Sequence, residues 1–222
     1  MDAVARVFDL IEAGGWVMYP LLALSVVSLA ITIERAVFWL GPSSRLDRAW
    51  LERALASMRQ ASWRSVSAEA QRDKSVYAGF AVRLASEAER SGSASASAVV
   101  AASERFRPIV ERFSALHSTI ITAAPMLGIL GTVTGIIQSF ELLGGAGVGE
   151  SVVSDPALVA SGIAEALFTT AVGLVVALLT LFPHALYRAA SERCLVVFET
   201  LAAAADEGAS EKPATPAAPD DE

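Results

Sequence analysis

Among the polar residues inside the long apolar stretches of this sequence, one carboxylate and three hydroxyls together have the chemistry of an ion route. Thr132 lies in one stretch, and Glu165, Thr169 and Thr170 lie in another. An ionisable side chain at membrane depth is costly, seldom faces lipid and often marks an ion pathway. Threonine hydroxyls beside it can hold water through hydrogen bonds. These four residues are therefore candidate ion-pathway residues.

Helical geometry orders the candidates around the carboxylate. With Glu165 as the origin of a helical projection, Thr169 and Thr180 fall within about 60°, whereas Thr170 lies near about 140°. The projection therefore favours Thr169 over Thr170. Two structural alternatives stay open. Glu165 can extend to the membrane boundary or pair with a basic side chain, and Thr132 can hydrogen-bond to its own backbone one turn back.

Three glycines on the stretch that holds Thr132 indicate close helix packing. Gly128, Gly131 and Gly135 are spaced by three and four residues, so on a helix they share one face. Small residues on such a face let a second helix backbone approach closely in a membrane. The spacing therefore predicts a helix-packing role for these glycines.

The sequence holds little else that could do chemistry. It has one cysteine, Cys194, and two histidines, His117 and His184. This content excludes an intrachain disulfide and gives no metal-ligand spacing. Because a serine-histidine-acid set and a phosphate loop are also missing, we expect no enzyme, no catalytic residue, no cofactor and no metal. Both histidines are predicted to lie at the ends of membrane spans rather than to relay protons.

The elements that position the candidates are predicted to be membrane-spanning helices. Of the 222 residues, 54% are hydrophobic and 18% are charged, and the mean hydropathy is +0.50. The apolar residues gather in three uncharged runs of 21, 28 and 22 residues. Each run reaches the roughly 20 residues that cross a hydrocarbon core about 30 Å thick. The sequence thus predicts an all-α membrane protein with three transmembrane helices.

The basic residues predict an orientation for these spans. Twelve of the 17 lysines and arginines lie between Arg45 and Arg112, and none lies from Glu141 to Ala164. Placing the basic segment and the carboxy terminus in the cytoplasm puts the amino terminus and the acidic loop in the periplasm. The formal net charge of −7 argues against nucleic acid as a partner.

This topology divides the chain into eight predicted segments. The second and third spans are expected to extend into the cytoplasm, because a helical pattern runs from Ala98 through Phe113 into the second span and from Pro156 through the third. Acidic residues ahead of the first span argue against a cleaved signal peptide. The segments are a periplasmic amino terminus (1–13), transmembrane helix 1 (14–39), a cytoplasmic segment of amphipathic helices (40–112), transmembrane helix 2 (113–140), a periplasmic loop (141–160), transmembrane helix 3 (161–187), a cytoplasmic helix (188–205) and a disordered acidic tail (206–222).

Three stretches resemble the MotA/TolQ/ExbB proton channel family, in particular its three-span ExbB/TolQ branch. They are GGWVMYPLLALSVVSLAITIERAVFW in the first span, APMLGILGTVTGIIQSF in the second and GIAEALFTTAVGLVVAL in the third. The similarity covers all three spans, and the paired motifs of the second and third spans are specific to the family.

The resemblance implies a multi-pass protein of the bacterial inner membrane, with five copies around a dimer of a single-span ExbD/TolR-like partner. Inward proton flow would protonate and release a membrane aspartate of that partner. The resulting motion would pass to a periplasm-spanning TonB/TolA-like protein, for outer-membrane import or envelope maintenance. By motif, the pore-lining hydroxyls fall on Thr132 and Thr170 and the membrane glutamate falls on Glu165. The motif thus favours Thr170 where the projection favours Thr169.

Two functions of different classes remain in competition. The leading hypothesis is a proton-channel and stator subunit that converts proton-motive force into mechanical work. The alternative is a non-conducting membrane scaffold, in which long helices and glycine faces serve assembly only. The sequence leaves open a TonB-linked or Tol-linked system, protons or sodium, the imported substrate and the stoichiometry.

Overall fold

The computed structural model describes residues 15–71, 73–91, 96–144 and 156–211, and all regular elements in these ranges are helices. The predicted all-α membrane fold is confirmed, because Met18–Leu40, Ser114–Glu141 and Val159–Ser210 are long and apolar enough to cross a membrane. The helices are α1 (Met18–Leu40), α2 (Arg48–Arg59), α3 (Trp63–Ala70), α4 (Val76–Ser91), α5 (Ala96–Val110), α6 (Ser114–Gly144) and α7 (Pro156–Glu211), with a 3₁₀ turn at Pro42–Ser44.

The chain divides into two compact units. The first comprises Met1–Glu34 and Phe113–Leu186, and the second comprises Arg35–Arg112 and Tyr187–Glu222. The first unit therefore holds most of the apolar length of α1, α6 and α7. The second holds α2 to α5 and the carboxy-terminal part of α7, which contains all the charged residues of that helix except Glu165.

Burial in the first unit has the pattern of helices in a membrane. Its core consists of aliphatic side chains from α1, α6 and α7, among which Leu21 and Ile120 are fully buried. Large apolar side chains on the opposite faces point outward, and Met126, Leu179 and Phe182 are 67–69% exposed. Outward apolar faces are stable where lipid or another chain replaces water. The protein is therefore a multi-pass membrane protein.

The second unit has a core like that of a soluble helical domain. Phe80 of α4 stacks on Phe198 of α7, with ring centroids 4.3 Å apart and planes inclined by 7°. Phe106 of α5 packs edge-on against both rings. In α2, Trp50, Ala54 and Met58 share the buried side, as expected for an amphipathic helix.

One predicted helix is interrupted. An unbroken helix from Ala98 through Phe113 into the second span was expected, and this is wrong, because α5 ends at Val110 and α6 begins at Ser114. Phe113 has a φ of 63°, a left-handed conformation that ends a helix and that bulky residues rarely adopt. Pro108, close to the end of α5, also removes a backbone donor there. The second span therefore does not continue as one helix into the preceding segment.

The longest helix carries the third span and continues far beyond it. Helix α7 has 56 residues, a length of about 84 Å, and its uncharged part ends before Arg188. It continues to Glu211, so residues 206–211, expected as part of a disordered tail, are helical. The predicted amino terminus (1–13), the loop residues 145–155 and the tail residues 212–222 lie outside the described residues.

Candidate ion pathway in the membrane bundle

The glycines of α6 bring its backbone against α7. A Cβ atom on Gly128 would lie 3.0 Å from the Cα of Thr170, and one on Gly135 would lie 2.8 Å from the Cβ of Ala166. A Cβ atom on Gly131 would lie 2.9 Å from the Cβ of Thr169. Such separations are shorter than ordinary carbon contacts, so no larger residue fits without movement. This close approach places the threonines of the two helices within reach of each other.

Two of the candidate hydroxyls meet across the interface between α6 and α7. The hydroxyls of Thr132 and Thr170 are hydrogen-bonded to each other. Thr170 Oγ1 also donates to the carbonyl of Gly128 at 2.8 Å, and Thr132 Oγ1 lies 3.2 Å from the same carbonyl. Because each hydroxyl has one proton and two acceptor lone pairs, this cluster can rearrange its hydrogen bonds. Because the Thr170 proton goes to Gly128, Thr132 donates to Thr170, and the Gly128 carbonyl on its own helix is its alternative acceptor.

Thr169 has a different environment from Thr170. Its side chain is 1% exposed, its hydroxyl donates to the backbone carbonyl of Glu165 at 3.0 Å, and its methyl group contacts Gly131. Thr180, on the same stripe of α7, is also fully buried. The stripe identified by the helical projection thus faces other helices of the unit, and Thr169 lies there as a packed side chain.

Glu165 is half-buried and lies about 140° around α7 from Thr170. Its carboxylate rests against Gly15, which precedes α1. Within the described ranges, no ion pair or hydrogen bond reaches this carboxylate from a side chain. The structure thus gathers Thr132 and Thr170 into one cluster and holds the Glu165 carboxylate on another side of α7.

A second polar contact joins α1 to α7 and was not foreseen from the sequence. The hydroxyls of Ser28 and Thr180 lie 2.6 Å apart, and both side chains are buried. Thr180 Oγ1 lies 2.7 Å from the carbonyl of Val176 and donates to it, so Ser28 must donate to Thr180. Uncharged polar residues in apolar runs were the available signal, but a sequence does not show which helix supplies the partner.

A third polar cluster contains both histidines. His117 is 1% exposed, and its ring stacks on that of His184 with centroids 5.4 Å apart and planes inclined by 19°. Its Nδ1 lies 3.0 Å from the carbonyl of Phe113, and its Nε2 lies 3.4 Å from Thr32 Oγ1. His117 thus lies in the first turn of α6 and is enclosed by neighbouring side chains; its position at the membrane interface stays a prediction.

These arrangements suit hydrogen bonding and proton exchange. The described part of the first unit brings together hydroxyl pairs and an imidazole pair, and it also holds the carboxylate of Glu165. In the part of the chain that the structure describes, no three histidine, cysteine, aspartate or glutamate side chains come together as metal ligands.

The chain is similar to one known family and to several relatives that are named as transport proteins. The family described as the MotA/TolQ/ExbB proton channel family matches residues 67–200. The chain is 32% identical over 179 residues to the putative biopolymer transport protein ExbB-like 3 of Synechocystis, covering 76% of this chain and 79% of that protein. It is also 32% identical over 172 residues to the biopolymer transport protein ExbB of Salmonella typhimurium, covering 73% and 67% of the two chains. The putative ExbB homolog of Methanothermobacter thermautotrophicus is 32% identical over 178 residues, which are 78% of this chain and 60% of that protein.

Proposed function

Because the chain belongs to the MotA/TolQ/ExbB proton channel family, we propose that it is the proton-channel and stator subunit of an energy-transducing complex in the bacterial inner membrane. It uses proton-motive force together with an ExbD/TolR-like single-span partner. The motion drives a TonB/TolA-like protein that spans the periplasm. The work serves outer-membrane import or maintenance of the cell envelope.

One observation carries this proposal. A hydroxyl cluster formed by Thr132 and Thr170 lies partly buried between two apolar helices, and the Glu165 carboxylate, which has no ion pair among the described residues, stands five residues before Thr170 on α7. Five residues correspond to a rise of about 7.5 Å along a helix. Polar groups at such depth are unfavourable unless they serve a polar or water-filled route. The cluster and the carboxylate supply such a route.

In this mechanism the protein's own groups do not push protons. The hydroxyls of Thr132 and Thr170 hold water by accepting and donating hydrogen bonds. The carboxylate of Glu165 attracts protons into the lumen, and its negative charge favours the protonated, neutral form of the partner's membrane carboxylate, because like charges repel. A narrow polar lumen strengthens these electrostatic interactions, because its effective dielectric constant is lower than that of water.

The complete channel needs more than one chain. The outward apolar faces of α6 and α7, with Ile129, Val133 and Leu178 at 50–58% exposure, are available to lipid or to further subunits. A homopentamer around the single-span partner would cover part of these faces. The amino terminus lies in the periplasm and the carboxy terminus in the cytoplasm, as the distribution of basic residues favours. A carboxy-terminal tag that resists protease in inside-out vesicles would contradict this orientation.

Proton flux in proteoliposomes tests the function. The protein is reconstituted with its ExbD/TolR-like partner, and flux is followed with an entrapped pH-sensitive dye under an imposed membrane potential. Glu165→Gln and Thr170→Val should lower the flux by about tenfold or more, which corresponds to about 1.4 kcal/mol. The matched control is Thr134→Val, because among the described residues the Thr134 hydroxyl donates within α6, to the carbonyls of Leu130 and Gly131 at 3.1 Å.

The same variants separate a channel from a non-conducting scaffold. Each is first compared with the unmodified protein for complex formation with the partner in native gels. A scaffold predicts that Glu165→Gln and Thr170→Val damage assembly. Variants that assemble normally and keep full proton flux would show that these residues do not form an ion pathway.

A further inference from the structure

The carboxylate of Glu165 occupies space that is free only because residue 15 is a glycine. A Cβ atom built on Gly15 would lie 2.7 Å from Oε1 and 3.9 Å from Cδ of Glu165. The first separation is well inside ordinary carbon–oxygen contact. Any side chain at position 15 and the present position of the carboxylate therefore exclude each other.

Gly15 also has a positive φ, and the effect of this backbone conformation must be distinguished from the effect of the missing side chain. Its φ is +64°, in the left-handed region that glycine adopts without cost and that asparagine tolerates better than alanine. Its carbonyl accepts the backbone hydrogen bond of Met18 at 3.1 Å, so it forms the turn that leads into α1. A substitution at position 15 thus affects both the backbone and the carboxylate, and an experiment has to distinguish the two effects.

The electrostatic environment at the amino end of α1 favours the negative charge of the Glu165 carboxylate. The amino end of a helix carries a partial positive charge. The first amides of α1, those of Met18 and Tyr19, already donate to the carbonyls of Gly15 and Trp16, so this partial charge is what favours a carboxylate here. Glu165 lies at this end of α1, and within the described residues no lysine, arginine or histidine forms an ion pair with it. The amino end of α1 therefore provides a favourable resting place for a negative carboxylate.

We propose that Gly15 is a positioning residue for Glu165, which holds the carboxylate at the amino end of α1 and away from the Thr132–Thr170 cluster. The consequence for ion flow rests on the proposed function above. In the resting chain the carboxylate is docked against α1, and the hydroxyl cluster is satisfied by its own hydrogen bonds. A side chain at position 15 removes this docking place and changes the position from which Glu165 acts.

Substitutions at position 15 in two backgrounds test the proposal. Gly15→Ala should lower proton flux by roughly tenfold to hundredfold, on the order of the loss that a misplacement of about 1 Å causes. In the Glu165→Asp background the carboxylate is withdrawn by one carbon–carbon bond, about 1.5 Å, so Gly15→Ala should cause little further loss. Equal losses in both backgrounds would show that the backbone alone is responsible and would overturn the proposal.

Gly15→Asn provides an independent check on backbone strain. Asparagine relieves the strain of a positive φ relative to alanine but brings a larger side chain towards Glu165. The proposal therefore expects Gly15→Asn to lower the flux at least as much as Gly15→Ala. A milder effect of Gly15→Asn would contradict it.

A structural measurement separates this proposal from the proposed function. Solid-state NMR of the complete protein in lipid, with ¹³C at Gly15 Cα and Glu165 Cδ, should show a through-space cross-peak between the two carbons. Absence of this cross-peak overturns the positioning role, whatever the flux measurements give. Full flux in Glu165→Gln overturns the channel assignment instead and leaves the cross-peak unaffected.

Discussion

The imidazole ring of His117 stacks on that of His184, with 5.4 Å between the ring centroids. The two residues belong to different helices and are 67 positions apart in the sequence. Two protonated rings at this separation would repel each other, so the stack is most stable when at least one ring is neutral. The hydrogen bonds of His117 identify which of its nitrogens carries the proton.

The first prediction concerns the tautomer of His117. Its Nδ1 lies 3.0 Å from the carbonyl of Phe113, which can only accept, so Nδ1 must donate. In the neutral ring Nε2 is then unprotonated and faces the hydroxyl of Thr32 at 3.4 Å. ¹⁵N NMR of histidine-labelled protein at neutral pH should show His117 protonated at Nδ1 and not at Nε2. Assignment with His117→Gln identifies the signals, and protonation at Nε2 alone would contradict the network.

The second prediction concerns the packing of α6 on α7. Gly131→Ala places a methyl group against the side chain of Thr169, and overpacking of this kind costs about 1 to 3 kcal/mol. We expect the variant to unfold at lower denaturant concentration in detergent. Thr169→Ser, which deletes the contacting methyl group and keeps the hydroxyl, should restore part of the loss in the double variant. Thr134→Ser removes a methyl group elsewhere on α6 and serves as the control, which should give no restoration.

The sequence predicted the elements of the membrane unit well because length and charge constrain them strongly. A long run without charge must span the membrane or be buried. The positions of α1, α6 and the uncharged part of α7 therefore followed from the number of residues between successive charged residues. Periodicity also identified the buried stripe of α7 that contains Thr169 and Thr180. These properties depend on one helix at a time.

The contacts between helices could not be predicted in the same way. The partner of Ser28 lies 152 positions away, and no spacing within α1 indicates it. The docking of Glu165 on Gly15 depends on how α1 packs against α7. The break at Phe113 was missed because the usual sequence signal for a positive φ is a glycine or an asparagine. Phe113 adopts a positive φ without being either.

The third prediction concerns the single thiol. Burial raises the pKa of Cys194 from 9.0 to about 11, and a hydrogen bond with Tyr77 opposes this only in part. Two pKa units reduce the thiolate fraction at pH 8 by about 100-fold, and the thiolate is the reactive form. Native protein should therefore react with iodoacetamide at least about 100-fold more slowly than an exposed thiol.

Thr200→Cys in a Cys194→Ala background provides that exposed thiol, because Thr200 lies on the outer face of the same helix. Between about pH 8 and pH 10, the rate for Cys194 should rise about tenfold per pH unit, whereas the reference rate should level off near its own pKa. Comparable rates for the two proteins at pH 8 would show that Cys194 is accessible and unperturbed.

The fourth prediction concerns the hydroxyl pair of α1 and α7. The proton of Thr180 goes to the carbonyl of Val176, so Ser28 donates to Thr180, and Thr180→Val leaves a buried donor on Ser28 without its acceptor. Loss of one partner of a buried hydrogen bond costs more than loss of both. Thr180→Val should therefore lower stability more than Ser28→Ala, and adding Ser28→Ala to Thr180→Val should cost little or restore part of the loss.

Hydrogen bonds between membrane helices couple by about 0.6 kcal/mol on average and by about 1.7 kcal/mol at most. A double-mutant cycle of unfolding free energies in bicelles measures this coupling, with Thr119→Val as the control, because that exposed hydroxyl bonds only to the carbonyl of Ala115. Strictly additive losses would show that the two hydroxyls do not interact in the membrane.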